Sequence, residues 1–386
     1  MITPRITSFT KTLIESQVTE DVVGSRRREV GSQSDVVVET LFTSLGDSPV
    51  IDIRSRSEFL KGSVPGSINV PMFSDSERAQ IGTAYKERSP AEAFSLAIGF
   101  FEDNYGEFLA SMGRTANSGR IFLLCARGGL RSKSVAYLLS HLGFDVRRVA
   151  GGYKSYRHFV LSLMSSFAKH ELLVFHGRTG VGKTAFLREM EKKSCGVVDF
   201  EALACHRGSA FGDVGLGRAP ISQQLFENRI AARYFEVRRH GTILVELENF
   251  LGSVSVPQCL RERFKASRGL LLRRDYGDRI ARLEDEYADA ADTNAHAELA
   301  ERLIALDRVF SSQQIAVMVE KIAAGCFGFV ARSLLARRYD TLYDRSLSRY
   351  GSEIKASFNL SYEKSRAEAW VLGHVRRSEV PAVEMC

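Results

Sequence analysis

The sequence predicts an α/β protein of two domains, each on a mainly parallel sheet, the second ending in a helical portion. Three observations predict this. With 386 residues and 44% hydrophobic content the chain is long enough for two cores, because a single core stops growing near ~250 residues. Short, nearly wholly apolar runs alternate with helix-period segments in two stretches, one before and one after residue 166. From about Asp275 onward the pattern turns helical, through RIARLEDEYADA and LLARRYDTLYDRSL.

The elements follow in chain order. Residues 1–34 include SRRREVGSQSD and little apolar periodicity, and read as a loosely ordered extension. Residues 35–165 form the first domain: SPVIDIR (48–54), SINVP (67–71) and RIFLLCA (120–126) are strand candidates, the last apolar almost throughout like a central strand. KSVAYLLSHLG (133–143) places Val135, Leu138, Leu139 and Leu142 on one helix face and Gly143 at the stop. DVRRVAGGY then gives a last strand and a tight turn. Residues 166–386 form the second domain, opening with the strand, glycine loop and helix of ELLVFHGRTGVGKTAFLREMEKK (171–193), with GVVDFE (196–201) and GTILVELE (241–248) as further buried strands. The chain carries neither an internal repeat nor a further low-complexity tract.

Composition narrows the function classes. No window nears the ~18 apolar residues of a membrane span, and the N-terminus lacks a secretory core, so a cytoplasmic protein without membrane association is expected. Six cysteines, at 125, 195, 205, 259, 326 and 386, include no C-x-x-C pair and no zinc spacing, which argues for reduced thiols and assigns no metal ligands among them. The net charge of +7 is concentrated: Arg127 to His170 holds eight Lys/Arg against the single acid Asp145. That stretch suits a polyanionic partner, and equally suits solvated helix faces.

Cys125 ends an apolar strand and is followed by ARGGLRSKS and a helix. Backbone N–H groups of a glycine turn at a helix N-terminus favour negative charge, the setting of a thiolate nucleophile or a bound oxyanion. Arg127, Gly128 and Gly129 form the loop, Arg131 would close it, and Ser132 is placed to meet the sulfur. C-x5-R after a strand is shared by rhodanese-like sulfurtransferases and by phosphatases of the related fold. A charge and two glycines after the thiol are poor core packing, which favours a reactive cysteine; the other five read as structural.

Gly177-Arg-Thr-Gly-Val-Gly-Lys-Thr184 fits G-x4-G-K-[ST] between a strand and a helix. In this pattern Gly177, Thr179, Gly180 and Gly182 let the backbone wrap a diphosphate, Lys183 neutralises it, and the Thr184 hydroxyl is placed for Mg²⁺. The strand-end aspartate usual for nucleotide hydrolysis is missing. ILVELEN offers Glu246 and Glu248, either as metal-holding acids or as strand-end acids on a solvated edge.

The two loops in this order, with the segments around them, resemble the tRNA 2-selenouridine synthase family, in which a rhodanese-like domain precedes a P-loop domain. The matching segments run from IDIRSRSEFLKGSVPGSINVP (51–71) through ERAQIGTAYKE (77–87), LLCARGGLRS (123–132), GGYKSYR (151–157), GRTGVGKT (177–184), DFEALACHRGSAFG (199–212), FEN (226–228) and CLRER (259–263) to RYDTLY (338–343). The resemblance implies a transferase that replaces sulfur by selenium at C2 of the wobble 2-thiouridine of tRNA, with selenophosphate as donor and an S-geranyl intermediate made from geranyl diphosphate. It implies Cys125 as the essential cysteine and a diphosphate on the P-loop. Asp199, Glu201, His206, Arg207, Gly208 and Ser209 would line the active site, with Mg²⁺ as a candidate ion. Partners would be tRNA and a selenophosphate-producing enzyme; the oligomeric state is open.

Leu124 stands where some relatives have a second cysteine, which excludes a vicinal-thiol step; ELENFLG lacks the Arg of an acid-acid-Ser-Arg pattern; and RYDTLY replaces a Tyr-Tyr-Asp-Pro sequence, a change expected to be neutral for packing. Cys125 would carry selenium as a perselenide or hold the base covalently, and the residues leave both open. The basic run spans the domain junction, where one anticodon could visit both sites. A splayed wobble base could stack on Tyr153, Tyr156, Phe211 or Phe226, each of which is also read as a core residue. A competing reading is a nucleotide-dependent kinase or switch with a regulatory rhodanese-like module; the missing aspartate counts against it.

Overall fold

The computed structural model describes residues 32–44, 48–115, 119–206, 220–288 and 293–377. The chain divides into two compact units, 1–162 and 163–386, the division falling within the helix Gly152–Phe167. Among the described residues no helix is long and apolar enough to cross a membrane.

The first unit carries a five-stranded, wholly parallel sheet. Its strands are β1 (Gln33–Val36), β2 (Val50–Asp52), β3 (Ile68–Asn69), β4 (Arg120–Leu124) and β5 (Asp145–Val149), in the order β1-β5-β4-β2-β3. A parallel sheet is covered by helices on both faces, which is why β4 reads as an unbroken apolar run. Ile121, Leu123 and Cys125 alternate into a core shared with Phe101, Phe108 and Met112 of the helix Pro90–Thr115 and with Val135, Leu138 and Leu139 of the helix Leu130–His141. That second helix stops as its sequence predicts. Gly143 takes φ +88°, its N–H donates to Ser140 O, and the Phe144 N–H reaches back to Leu139 O, a Schellman closure.

The extension assigned to 1–34 is corrected at its end. Residues 1–31 lie outside the described residues, but Gln33 and Ser34 belong to β1, in register with Val146 and Arg147 of β5. QSDV carries no apolar pattern because an edge strand is held through its backbone.

The second unit has another five-stranded parallel sheet: β6 (Glu171–His176), β7 (Gly196–Val198), β8 (Thr242–Glu246), β11 (Arg268–Arg273) and β12 (Glu353–Asn359), in the order β12-β11-β6-β8-β7. Between them β9 (Phe250–Leu251) and β10 (Val254–Ser255) form a small antiparallel ribbon. One sheet face is closed by Phe186, Leu187 and Met190 of the helix Lys183–Lys192 and by Ala367 and Val371 of the helix Lys364–Arg377. The helical C-terminal portion exists as a separate cluster around Leu283, Leu303, Met318 and Leu334. It is interrupted by β12, a correction to the all-helical expectation after Asp275: EIKASFN pairs along β11 and buries only the Ala356 and Phe358 side against the core.

Candidate functional site

The first cradle is assembled by β4 and the glycine turn after it. Cys125 is 2% exposed. The Gly128 N–H, at φ +65°, donates to Cys125 Sγ at 3.2 Å, and Ser132 Oγ lies 3.2 Å from the same sulfur while donating to Gly129 O at 3.1 Å. The loop carbonyls are taken from outside. Tyr153 N–H donates to Cys125 O at 2.8 Å, Lys154 N–H to Ala126 O at 3.0 Å, and Arg148 Nη1 to Gly128 O at 3.0 Å. With those oxygens held by outside donors, the Gly128 N–H is turned to the sulfur, the start of an anion nest. Arg127 and Gly129 are exposed on this loop. Arg131 leaves it on the first helical turn with its guanidinium 3.6 Å from Glu58, so the expected closing arginine is shared with an acid.

Two residues that sequence reasoning missed hold this cradle. Arg148 pairs with Asp35 of β1, which aims it at the Gly128 carbonyl. The Arg54 guanidinium, 4% exposed and bonded to Asp52 Oδ2 at 2.6 Å, lies 3.7 Å from the centre of the Tyr153 ring. The strand motif IDIR was the available signal. Tyr153, Tyr156 and Phe226 are core residues, at 8%, 1% and 0% exposure, so none is open to a splayed base; Phe211 lies outside the described residues.

The second cradle lies beyond central strand β6. Gly180 (φ +82°) and Gly182 (φ +91°) turn the chain into the helix at Lys183, and a Cβ on Gly177 would stand 2.7 Å from Leu272 O. Lys183 Nζ donates to Gly177 O at 2.9 Å. The outer rim is tied by arginines: Arg279 Nε to Thr179 O and Arg274 Nε to Val181 O, both at 3.0 Å. Arg279 is itself gripped by Asp340, with Nη2 2.5 Å from Oδ1, and Asp340 and Asp344 also hold Arg178. A Cβ on Gly182 would come within 3.3 Å of the Arg282 guanidinium, so a further cation flanks the loop mouth. Asp340 sits where a π-helical turn, Leu335–Tyr339, joins the helix Asp340–Tyr350.

Three carboxylates converge on this loop. Thr184 Oγ1 donates to Glu201 Oε2 at 2.8 Å and lies 3.2 Å from Glu246 Oε2, and one oxygen each of Glu201, Glu246 and Glu248 falls within 4.8 Å of the others. Glu248 stands 3.9 Å from Lys183 Nζ. Burial pushes Glu201 up to about 7, with Lys183 and the Thr184 hydroxyl pulling the other way. Burial likewise raises Glu248 to about 8, and it takes Glu246 well above the carboxylate range, reinforced by the charges of Glu201 and Glu248. Glu246 is fully buried, which removes the solvated-edge alternative and places an acid at the strand end where an aspartate had been missed.

Asp199 caps the helix Phe200–Ala204 through the Ala202 N–H and pairs with Arg188, so its role is to present Glu201. His206 is half-buried with its ring against Gly252. Arg207, Gly208 and Ser209 lie outside the described residues. Of the cysteines read as structural, Cys195 is buried but Cys259 and Cys326 are exposed, because each begins a helix at the surface.

A cysteine-centred loop on one parallel α/β unit, followed by a phosphate loop on another, defines a protein with a rhodanese-like domain ahead of a P-loop domain. Residues 38–158 match the rhodanese-like domain family, and residues 170–323 match the tRNA 2-selenouridine synthase AAA domain. Proteins named tRNA 2-selenouridine synthase are 37% identical over 62% of this chain and 66% of its relative in Shewanella denitrificans, 35% over 63% and 67% in Salmonella agona, and 32% over 80% and 92% in Salmonella paratyphi A. The chain belongs to the tRNA 2-selenouridine synthase family.

Proposed function

We propose that this protein replaces sulfur by selenium at C2 of wobble 2-thiouridine in tRNA, through an S-geranyl intermediate. The observation that carries the reading is the pairing, in one chain of this family, of a thiol inside a backbone nest with a phosphate loop ringed by Lys183, Arg274 and Arg282. In the first half-reaction the thiouridine sulfur attacks C1 of geranyl diphosphate, the C–O bond breaks, and diphosphate leaves against the P-loop charges. In the second, selenium from selenophosphate adds to C2, the C–S bond breaks with loss of geranyl thiol, and water takes the phosphoryl group as phosphate. The Cys125 loop supports the second half, as selenium carrier or covalent anchor, with N–H donors for the charge that develops.

Purified protein given 2-thiouridine tRNA and selenophosphate, with and without geranyl diphosphate, tests this by nucleoside mass spectrometry. Geranyl diphosphate alone is expected to yield the S-geranyl nucleoside, and both donors 2-selenouridine. Selenation at full rate without the prenyl donor would remove the intermediate. Glu246 beside Thr184 also favours a second reading, nucleotide hydrolysis at the P-loop; steady release of phosphate from ATP or GTP would select it.

A further inference from the structure

We infer that Glu58 sets the anion specificity of the Cys125 cradle, engaging Arg131 so that the loop does not grip phosphate; this rests on the reading of Cys125 as the chalcogen-handling thiol. Cys125 ends β4, and the helix Arg56–Lys61 follows the neighbouring parallel strand β2, so Glu58 rises from the same carboxyl edge of the sheet as the thiol loop. Its Oε2 lies 3.6 Å from Arg131 Nη1, and its Oε1 lies 3.8 Å from Nε of Arg78 on the helix Asp75–Glu87. One carboxylate thus serves two guanidinium groups. Arg131 and Glu58 are only 23% and 28% exposed, so solvent and salt screen this pair less than one on the open surface.

The arginine separates the two chemistries that a C-x5-R loop can serve. A free guanidinium offers a planar fork of donors to two oxygens of a phosphate group. A thiolate, persulfide or perselenide carries its charge on a chalcogen atom instead. The Gly128 N–H and Ser132 Oγ, each 3.2 Å from Sγ, meet that position without Arg131. The negative charge of Glu58 therefore weakens the hold on an oxyanion and spares the chalcogen. Of a donor that carries both, such a cradle keeps the selenium end and lets the phosphate product go.

Glu58 has a second task, which makes the first one separable. Its Oε2 accepts from the Ser55 N–H at 3.2 Å, half of the capping box that starts its helix. Glutamine serves in a capping box as glutamate does, so Glu58→Gln keeps the cap and removes only the charge.

Calorimetric titration with inorganic phosphate tests the inference on full-length wild type, Glu58→Gln, Arg131→Gln and the double variant. The P-loop is the same in all of them, so differences belong to the first cradle. Glu58→Gln is expected to bind phosphate at least about fivefold more tightly than wild type, the effect of one charge about 4 Å away in high dielectric. That gain should vanish in the double variant. Arg131→Gln alone should stay within about twofold of wild type, because the guanidinium it removes is already engaged. In selenation assays added phosphate should inhibit Glu58→Gln more strongly than wild type. A smaller gain in a Glu58→Gln chain that circular dichroism shows to be folded, a gain that persists without Arg131, or a loss of phosphate in Arg131→Gln would overturn the assignment. Cys125→Ala separates it from the reading beneath it. If Glu58→Gln gains phosphate while Cys125→Ala still makes 2-selenouridine, the filter stands and the thiol reading falls; if Glu58→Gln gains nothing while Cys125→Ala makes none, the thiol reading stands and the filter falls.

Discussion

Gly152 approaches Cys125 so closely that a Cβ on it would stand 2.2 Å from the Cys125 carbonyl oxygen, and its φ of +59° is one that L side chains rarely adopt. The turn before the helix Gly152–Phe167 is therefore the outer wall of the thiol cradle. Gly152→Ala is expected to destabilise the first unit by roughly 2–5 kcal/mol, about 1–3 from overpacking and about 1–2 from the left-handed backbone. It should also slow selenation by shifting the Gly128 N–H from the sulfur. Thermal melting followed by circular dichroism measures the first effect and nucleoside analysis the second. A variant with wild-type melting and activity would show that the wall is not required.

Cys125 and Ser132 are 3.2 Å apart, and of the two the thiol is the softer nucleophile, suited to a bond with selenium or with C2. In cells lacking this protein, Cys125→Ala should fail to restore 2-selenouridine to tRNA, while Ser132→Ala, which leaves the Gly128 N–H in place, should restore it at a reduced rate. Equal restoration by Cys125→Ala would remove the thiol from the mechanism.

Both loops are legible in the sequence because each is a local device: strand, glycine turn and helix are contiguous, so backbone geometry follows from neighbouring residues. The strands legible beforehand are β2 to β8: the central β2, β4, β6 and β8 as apolar runs, and β3, β5 and β7 as shorter runs set off by turns. β1 and β12 escape because QSDV and EIKASFN bond through the backbone at sheet edges, and β11 because its apolar core is three leucines between arginines. What was least legible is what the tertiary fold brings together. Glu201 and Glu246 are 45 positions apart, and Arg279 and Asp340 are 61 apart; only sheet pairing and helix packing make them neighbours. RYDTLY had been weighed for packing alone, yet its aspartate braces the phosphate loop.

That brace yields the next prediction. Arg279 is 5% exposed and Asp340 19%, so Asp340→Ala leaves a buried guanidinium unpaired and should cost about 3 kcal/mol. Because Arg279 Nε holds Thr179 O, pyrophosphate affinity should fall as well. Asp344→Ala removes only an exposed partner of Arg178 and should be nearly neutral for stability. Urea unfolding and calorimetric titration of both variants decide it. Equal effects would mean that the Arg279 pair does not brace the loop.

His176, the last residue of β6, is fully buried with neither ring nitrogen hydrogen-bonded among the described residues, and it sits against Gly269. Burial, aided by the charge of Lys183, holds its pKa down to about 4, against about 6.5 in an unfolded chain. Between those values the unfolded state takes up a proton that the folded state refuses, so this stabilisation is complete above about pH 6.5 and is lost as pH falls toward 4, in all about 3 kcal/mol. The raised carboxyls of Glu201 and Glu248 act in the opposite sense, losing stability as pH rises from about 4.5 toward 7 and 8. The wild-type profile mixes the two, so the measurement is a difference. Trp370 is the single tryptophan and lies in the second unit, so its fluorescence reports the unfolding of that unit alone. Urea midpoints from pH 4 to 7.5 should show His176→Gln gaining on wild type steadily as the pH is lowered, because glutamine takes up no proton in either state. A constant difference across that range would mean that His176 titrates alike in both states and is not held neutral by the fold.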